Sequence, residues 1–115
     1  MKGARLSLRV DLPGGRIGPG KIALLEAIGR EGSISAAGRA LGMSYKRAWA
    51  LVDQLNTLLG EPVVTASTGG ARGGGAQLTA AGEELIRDYR VMEAAAGKAS
   101  APQLRKLMAW ARGQE

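Results

Sequence analysis

The sequence contains no cysteine and no histidine, and these two absences exclude several kinds of chemistry. Without cysteine there is no disulfide bond, no thiol nucleophile and no iron–sulfur cluster. Without either residue, a conventional zinc site lacks its usual ligands, and a Ser-His-Asp or Cys-His mechanism lacks its base. We therefore expect no catalysis, no metal site and no cofactor.

Aromatic residues and long apolar runs are also scarce. Phenylalanine is absent, and the four aromatic residues are Tyr45, Trp49, Tyr89 and Trp110. A core must therefore be built from aliphatic side chains and alanine. No uncharged stretch provides the roughly 20 apolar residues that cross a bilayer, and residues 1–9 lack the apolar segment of a signal peptide. The expected location is the cytoplasm, without membrane association.

Positive charge exceeds negative charge. The 115 residues include 16 Lys and Arg against 10 Asp and Glu, which gives a formal net charge of +6. A chain of this length makes one domain. Such a basic balance suits an anionic partner, most often a nucleic acid, although it also serves solubility alone.

The chain begins with a predicted strand and a predicted helix. Apolar and polar residues alternate strictly over residues 5–11, which is the pattern of a half-buried strand. Isoleucine and leucine recur at helical spacing over residues 21–28, which predicts the first helix. Between them, residues 15–21 match the phosphate-binding pattern Gly-x4-Gly-Lys.

This match is a weak candidate for a nucleotide site. The residue after Lys21 is Ile22, whereas a phosphate-binding loop places there the Ser or Thr that holds magnesium. Pro19 also removes one backbone amide from the phosphate cradle. We therefore favour a flexible connection between the strand and the helix.

Two capped helices with a very short turn between them follow. Ser33 is suited to cap a helix that Gly42 ends in a left-handed conformation. Ser44 is suited to cap a second helix, over residues 45–59. This is the arrangement of a helix-turn-helix, in which the start of the second helix enters the major groove of DNA. The candidate contacts on that helix are Ser44, Tyr45, Lys46, Arg47 and Trp49.

Residues 62–79 predict a β-hairpin with a glycine-rich tip. A hairpin directly after such a helix is a wing, whose backbone can lie against phosphates. Arg72, at the tip, is suited to neutralise a phosphate or to enter the minor groove. A disordered linker is the alternative for residues 69–75, and the strand-like flanks favour the wing.

The last part of the chain predicts a long helix and a short one. Thr79 is suited to cap a helix from about Ala80 to Ala96, and a final amphipathic helix is expected over residues 103–112. The apolar residues of the first and the long helix exceed what a small core covers, and an uncovered apolar patch marks an interface. The expected homodimer interface consists of Ile22, Leu25, Leu85, Tyr89 and Met92.

Three motifs together resemble the N-terminal DNA-binding domain of ModE-type molybdate-responsive transcriptional regulators. They are Gly32-Ser33-Ile34-Ser35-Ala36-Ala37, Ser44-Tyr45-Lys46-Arg47-Ala48-Trp49, and the glycine-rich segment from Thr68 to Thr79. The resemblance runs from about Arg5 to Ala96, and its looser part is shared with LysR-type winged helices.

The resemblance implies a dimer of winged helices on a palindromic operator in double-stranded DNA. It assigns wing contacts to Thr68, Gly69, Gly70 and Arg72, and to the glycines that follow. Full-length members of this group carry C-terminal oxyanion-binding modules, whereas about 19 residues follow Ala96 here. This chain is therefore not expected to bind molybdate.

The sequence thus predicts a mainly α-helical winged helix-turn-helix with a small β-wing, an N-terminal strand and a long helix after the wing. Residues 1–97 are assigned to a DNA-binding and dimerisation domain, and residues 98–115 to a short helical tail. The predicted function is sequence-specific DNA binding by a transcriptional regulator. Two alternatives stay open: an architectural DNA-binding protein with low specificity, and a winged-helix adaptor that binds protein.

Overall fold

The fold was analysed in a computed structural model, which describes residues 3–67 and 75–113. Two antiparallel hairpins, β1–β2 and β3–β4, accompany five helices in the described residues. The elements are β1 (Val10–Leu12), β2 (Gly15–Ile17), α1 (Pro19–Glu31), α2 (Ile34–Ala40), α3 (Tyr45–Leu59), β3 (Val64–Ser67), β4 (Gly75–Leu78), α4 (Ala80–Ala99) and α5 (Ala101–Arg112). This order confirms the predicted mainly helical winged helix-turn-helix with a long helix after the wing.

The N-terminal segment is a short hairpin rather than a single strand. Leu6 and Leu8 are half-buried and the polar residues between them are exposed, so the alternation predicted the correct faces. The strand itself is shorter than expected, because the chain turns back and pairs Val10 with Ile17. This pairing places the first residues of the Gly-x4-Gly-Lys match in a β-ladder. The Lys21 ammonium donates to the Arg16 carbonyl oxygen at 2.7 Å, so both features contradict a phosphate loop.

The large apolar side chains of α1 are all buried in the core of this chain. Ile22 and Leu25 have no exposed surface, and Tyr89 of α4 is equally buried. The hydroxyl group of Tyr89 donates to the carbonyl oxygen of Leu8 at 2.7 Å, which ties α4 to the N-terminal segment. The core also contains residues of β2, α2, α3 and both strands of the second hairpin.

The expected dimer interface is therefore corrected for Ile22, Leu25 and Tyr89. Their side chains have no surface left for a partner. The error arose because the N-terminal segment and the second hairpin add cover that the helix pattern did not reveal. Of the remaining predicted residues, Leu85 is half-buried and Met92 is 43% exposed.

The turn between α2 and α3 brings the two helices close together at Gly38. A Cβ atom there would lie 3.2 Å from the Met43 carbonyl oxygen and 3.4 Å from the Ala48 Cβ atom. Gly42 adopts the left-handed conformation, with φ of +72°, as the sequence predicted. The small residues of α2 thus allow α3 to lie directly against it.

Helix α4 begins at its predicted cap and ends later than predicted. The hydroxyl oxygen of Thr79 accepts from the backbone N–H of Gly82 at 3.0 Å. The helix continues to Ala99, beyond the expected end at about Ala96, and α5 starts directly after Ser100. The break between the two helices is therefore a single residue.

Candidate nucleic-acid interface

The first turns of α3 present a group of exposed side chains, which we call the α3 surface and which consists of Ser44, Tyr45, Lys46, Arg47 and Trp49. Tyr45 and Trp49 are 54% and 41% exposed, and the two cations between them are exposed as well. Tyr45 and Trp49 stand four residues apart and therefore share one face of the helix. All five candidate residues are thus brought together at one accessible place.

The orientation of the α3 surface follows from the opposite face of the same helix. Ala48, Val52 and Leu55 are buried in the core, where they fix the rotation of α3 about its axis. The hydroxyl oxygen of Ser44 accepts from the backbone N–H of Arg47 at 3.1 Å, as predicted for an N-cap. Ser44 therefore positions the start of α3, and its own hydroxyl proton stays available to an acceptor outside the chain.

The charge of the α3 surface is positive where a helix itself disfavours cations. Lys46 and Arg47 lie in the first turn, next to the positive end of the helix dipole. Within residues 3–67 and 75–113, neither side chain forms an ion pair. Two cations and the amide groups of a helix N-terminus therefore face solvent together, which suits an anionic partner.

The base of the β3–β4 hairpin is held against the end of α1. The backbone N–H of Ala76 donates to the Gly32 carbonyl oxygen at 2.9 Å. Gly29 allows close contact there, because its Cβ atom would lie 3.0 Å from Leu78 Cδ1. The two strands pair from Val64 with Leu78 to Ser67 with Gly75. The predicted contacts Thr68, Gly69, Gly70 and Arg72 lie outside the described residues.

A second set of hydrogen bonds connects the hairpin to α3. The side-chain oxygen of Asn56 accepts from the Val63 N–H at 2.8 Å. The carbonyl oxygen of Val63 then accepts from the Thr79 N–H at 3.0 Å, and the Thr79 hydroxyl donates to the Pro62 carbonyl oxygen at 2.8 Å. These bonds set the direction in which the hairpin leaves α3.

Asn56 was missed by the sequence analysis. Its position beside the buried Leu55, near the end of α3, was the available hint that its polar side chain has an internal role. Arg39 was missed as well: it is exposed on α2, and its guanidinium donates to the Ser35 hydroxyl oxygen at 2.8 Å.

The described residues offer little for other kinds of site. Among residues 3–67 and 75–113, no group of three or more acidic side chains is arranged to hold a metal ion. In the same part of the chain, no helix has both the length and the apolar character that crossing a lipid bilayer requires.

Comparison with known protein families places this chain among bacterial helix-turn-helix regulators. Residues 20–83 match the family described as bacterial regulatory helix-turn-helix protein, lysR family, and they extend from α1 into the first turn of α4. This is more than half of the chain, and the chain belongs to this family. The DNA-binding domain of CbnR, solved in complex with DNA, is similar with a TM-score of 0.56 and 25% identity. That match covers 72% of this chain and 90% of the CbnR domain.

The relatives with higher identity are described as molybdenum-pterin-binding or molybdenum transport proteins and as ModE regulators. The molybdenum-pterin-binding protein MopB of Rhodobacter capsulatus is 58% identical over 89 residues, 77% of this chain and 33% of that protein. The molybdenum transport protein ModE of Azotobacter vinelandii is 46% identical over 90 residues, with coverage of 78% and 33%. The DNA-binding transcriptional dual regulator ModE of Escherichia coli (strain K12) is 42% identical over 74 residues, with coverage of 64% and 28%. The chain therefore resembles the ModE-type DNA-binding region and spans about a third of the length of these relatives.

Proposed function

We propose that this chain is a transcriptional regulator that binds double-stranded DNA sequence-specifically, with α3 in the major groove and the β3–β4 hairpin on the backbone or in the minor groove. The observation that carries the proposal is the α3 surface: two cations without an ion pair among residues 3–67 and 75–113, and two exposed aromatic rings, on a capped helix whose opposite face is buried. The E. coli relative is described as a DNA-binding regulator, and the CbnR domain was solved on DNA. Both support the same assignment.

The residues of the α3 surface have different roles in this proposal. Lys46 and Arg47 reach base edges or phosphates from the first turn of the helix, the end that contacts base edges in this motif. Tyr45 and Trp49 lie against sugar and thymine methyl groups, for which their exposed rings provide apolar area. Ser44 donates its hydroxyl proton to a phosphate oxygen. Arg39 of α2 adds a phosphate contact, since the first helix of the motif crosses the backbone.

The hairpin tip completes the contact with DNA. Thr68, Gly69 and Gly70 place backbone against the phosphates, and Arg72 contacts a phosphate or the minor groove. The proposal is supported by the base of the hairpin, which hydrogen bonds to Gly32 on one side and to Asn56 on the other. The strands of the hairpin are thereby held by the same core that orients α3.

The regulator acts as a homodimer on a palindromic operator in the cytoplasm, where bacterial DNA lies. One helix-turn-helix reads few base pairs, and dimers place two recognition helices about 34 Å apart, or a multiple of this distance. Antiparallel α4 helices supply the contact, with the half-buried Leu85 and the exposed Met92 as its apolar residues. Residues 1–97 carry DNA binding and dimerisation, and residues 98–115 form a helical tail.

The regulator is not an enzyme, and these residues do not form a molybdate site. The support for this is that the family match, residues 20–83, consists of the helix-turn-helix, the hairpin and the adjoining turns of α1 and α4. Calorimetric titration with molybdate should show no tight binding. Sub-micromolar affinity would contradict the proposal.

Selection of bound sequences from a random DNA pool tests the proposed function. We expect enrichment of a palindrome, and a loss of about 1–3 kcal/mol in binding to it for Lys46→Ala or Arg47→Ala when the residue contacts a base. Arg72→Ala should weaken binding to all sequences more evenly. Arg16→Ala on β2 removes the same charge at an exposed position outside the α3 surface and the β3–β4 hairpin, and it serves as the control.

The outcomes separate the alternatives. Binding without an enriched sequence would favour an architectural protein, because specific sites bind typically 10³-fold or more above non-specific DNA. Absence of salt-dependent DNA binding would favour a protein-binding adaptor.

A further inference from the structure

Helix α5 is amphipathic, yet none of its residues is fully buried, and Ala101, Leu104 and Met108 are half-buried. Leu107 and Trp110 are 52% and 62% exposed. The ammonium group of Lys106 lies 5.3 Å from the centre of the Trp110 ring, so a cation and a large apolar surface point in the same direction. Such a surface marks an interaction site.

Helix α5 continues the direction of α4. The Ser100 N–H donates to the Ala96 carbonyl oxygen and the Leu104 N–H to the Ser100 carbonyl oxygen, both at 3.0 Å. The first bond ends α4 and the second begins α5, so the junction between the two helices is the single residue Ser100. Laid end to end, the two helices would span about 50 Å at 1.5 Å per residue, and the longest dimension of the molecule is 55 Å. Helix α5 thus points away from the start of α4.

An apolar groove with acidic edges lies at the opposite end of α4, which we call the α3–α4 groove. It is lined by three apolar and three acidic residues: Leu59, Ala81, Leu85, Glu61, Glu84 and Asp88. The apolar residues are half-buried and the acidic residues are exposed. Within the described ranges, none of the three carboxylates takes part in an ion pair.

Helix α5 and the α3–α4 groove are complementary in charge and in character. The helix carries three cations, Arg105, Lys106 and Arg112, and no acidic residue. Its exposed Leu107 and Trp110 match the half-buried leucines of the groove. Opposite charges around an apolar contact steer two surfaces together and fix their register.

We propose that the α3–α4 groove is occupied by α5 of a second copy of this chain, and that the reciprocal contact forms at the same time. A helix that points away from its own groove reaches the groove of a partner when two α4 helices run antiparallel about a two-fold axis. The inference rests on the homodimer of the proposed function, and it adds the segment that the partner contributes.

One charge pair is enough to define the register of this contact. In antiparallel helices related by a two-fold axis, facing residue numbers have a constant sum. If Asp88 faces Lys106 of the partner, Ala95 faces the partner's Ala99. Both alanines are exposed, and their small side chains let the two helices approach closely near the axis.

Paired cysteines test the contact directly, because the chain has no cysteine of its own. In the double variant Asp88→Cys/Lys106→Cys, about 27 Å of nearly continuous helix separates the two thiols within one chain. A disulfide needs Cα atoms closer than about 7 Å, so any bond joins two chains. We expect a covalent dimer after mild oxidation. The control Asp53→Cys/Lys106→Cys moves one thiol to an exposed site on α3 outside the groove, and it should stay monomeric on a non-reducing gel.

Charge reversal and sedimentation without DNA provide the second measurement. Lys106→Glu and Asp88→Lys should each weaken self-association at least tenfold, and the double variant Lys106→Glu/Asp88→Lys should recover most of the loss. The wild-type chain should sediment as a dimer at tens of micromolar.

The results distinguish this inference from the proposed function. A wild-type dimer in which the paired cysteines react no better than the control would overturn the α5 contact and leave the homodimer standing. A wild-type monomer would contradict both the contact and the homodimer, while DNA binding is measured separately. Binding of α5 to anionic phospholipid vesicles, lost in Trp110→Ala and without cross-linking, would assign the helix to a lipid surface instead.

Discussion

The helix-turn-helix half of the chain and the α4–α5 half differ in how completely their apolar residues are buried. In α1 the apolar residues Ile22, Leu24, Leu25 and Ile28 have no exposed surface. In α4, Tyr89 is buried, whereas Val91 and Met92 are 66% and 43% exposed, and α5 has no buried residue. The large apolar residues of α1 are thus covered within one chain, whereas α4 and α5 retain exposed apolar surface.

The difference shows how this fold divides two tasks. The closed core fixes the rotation of α3 and the base of the hairpin, so the α3 surface has a defined geometry without a partner. Beyond Tyr89, α4 and α5 extend away from that core. The proposed DNA contact therefore depends on the closed core, whereas the proposed self-association depends on the part of α4 beyond Tyr89 and on α5.

The largest expected effect comes from two glycines of α4, one at its packed start and one near its C-terminal end. A Cβ atom at Gly82 would overlap the Val63 carbonyl oxygen. At Gly97, by contrast, no described atom beyond the neighbouring residues and the backbone of α4 would lie within 4 Å of a Cβ atom. We expect Gly82→Ala to lower the free energy of unfolding by about 3 kcal/mol, and Gly97→Ala to raise it by up to about 1 kcal/mol through helix propensity. Urea unfolding measures both. A similar change in the free energy of unfolding for the two variants would contradict the difference in packing between the start and the end of α4.

The two tyrosines give a smaller effect, which compares a ring buried in the core with a ring exposed on the α3 surface. Tyr89→Phe removes the donor to the Leu8 carbonyl oxygen, which should cost about 1–1.5 kcal/mol of stability. Tyr45→Phe changes an exposed ring of the α3 surface and should stay within about 0.5 kcal/mol of the wild type. Thermal and urea unfolding check both values. Equal losses would mean that the bond to Leu8 contributes nothing specific.

The smallest expected effect concerns the ion pair that joins the halves. The Arg90 guanidinium donates to both carboxylate oxygens of Glu26, at 3.0 and 2.6 Å. This hydrogen bonding holds the pKa of Glu26 below its ordinary value of 4.5. A carboxylate whose pKa is lowered by folding stabilises the fold above its unfolded pKa, and the contribution is lost as the pH falls through the folded pKa.

The variant Glu26→Gln isolates this contribution. Because the Glu26 side chain is 32% exposed, we expect the wild type to be more stable at pH 7 by at most about 1 kcal/mol. The advantage should vanish as the pH falls below 4.5. Urea unfolding of both proteins between about pH 7 and pH 3 spans the ordinary carboxyl pKa and measures the difference. An advantage that persists at the acid end would show that the amide disturbs packing rather than charge.

Much of the architecture was predictable because its determinants are local. The caps Ser33, Ser44 and Thr79 accept from the backbone N–H groups three residues on. Gly42 needed only the φ value that its own residue type allows. A cap and a turn depend on neighbours a few residues away, so both can be inferred from the sequence.

The β2 strand and the bond from Asn56 to Val63 were not predicted. The three residues of β2 are too few to show an alternating pattern. The only local indication that β2 pairs with β1 was the turn at Pro13 and Gly14 between them. The Asn56 bond depends on how the chain leaves α3, which no pattern within the helix encodes.

The sequence by itself determined which residues share a face, where α2, α3 and α4 begin, and the position of the α3 surface. Only the tertiary structure decided which apolar faces are closed within one chain. Ile22, Leu25 and Tyr89 carry the same periodic pattern as Leu85 and Met92, yet the first three are fully buried and Met92 remains exposed. The physical reason is that periodicity states which way a side chain points, whereas burial depends on the cover that distant segments provide. That cover, from the N-terminal segment and the β3–β4 hairpin, exists only in the folded chain.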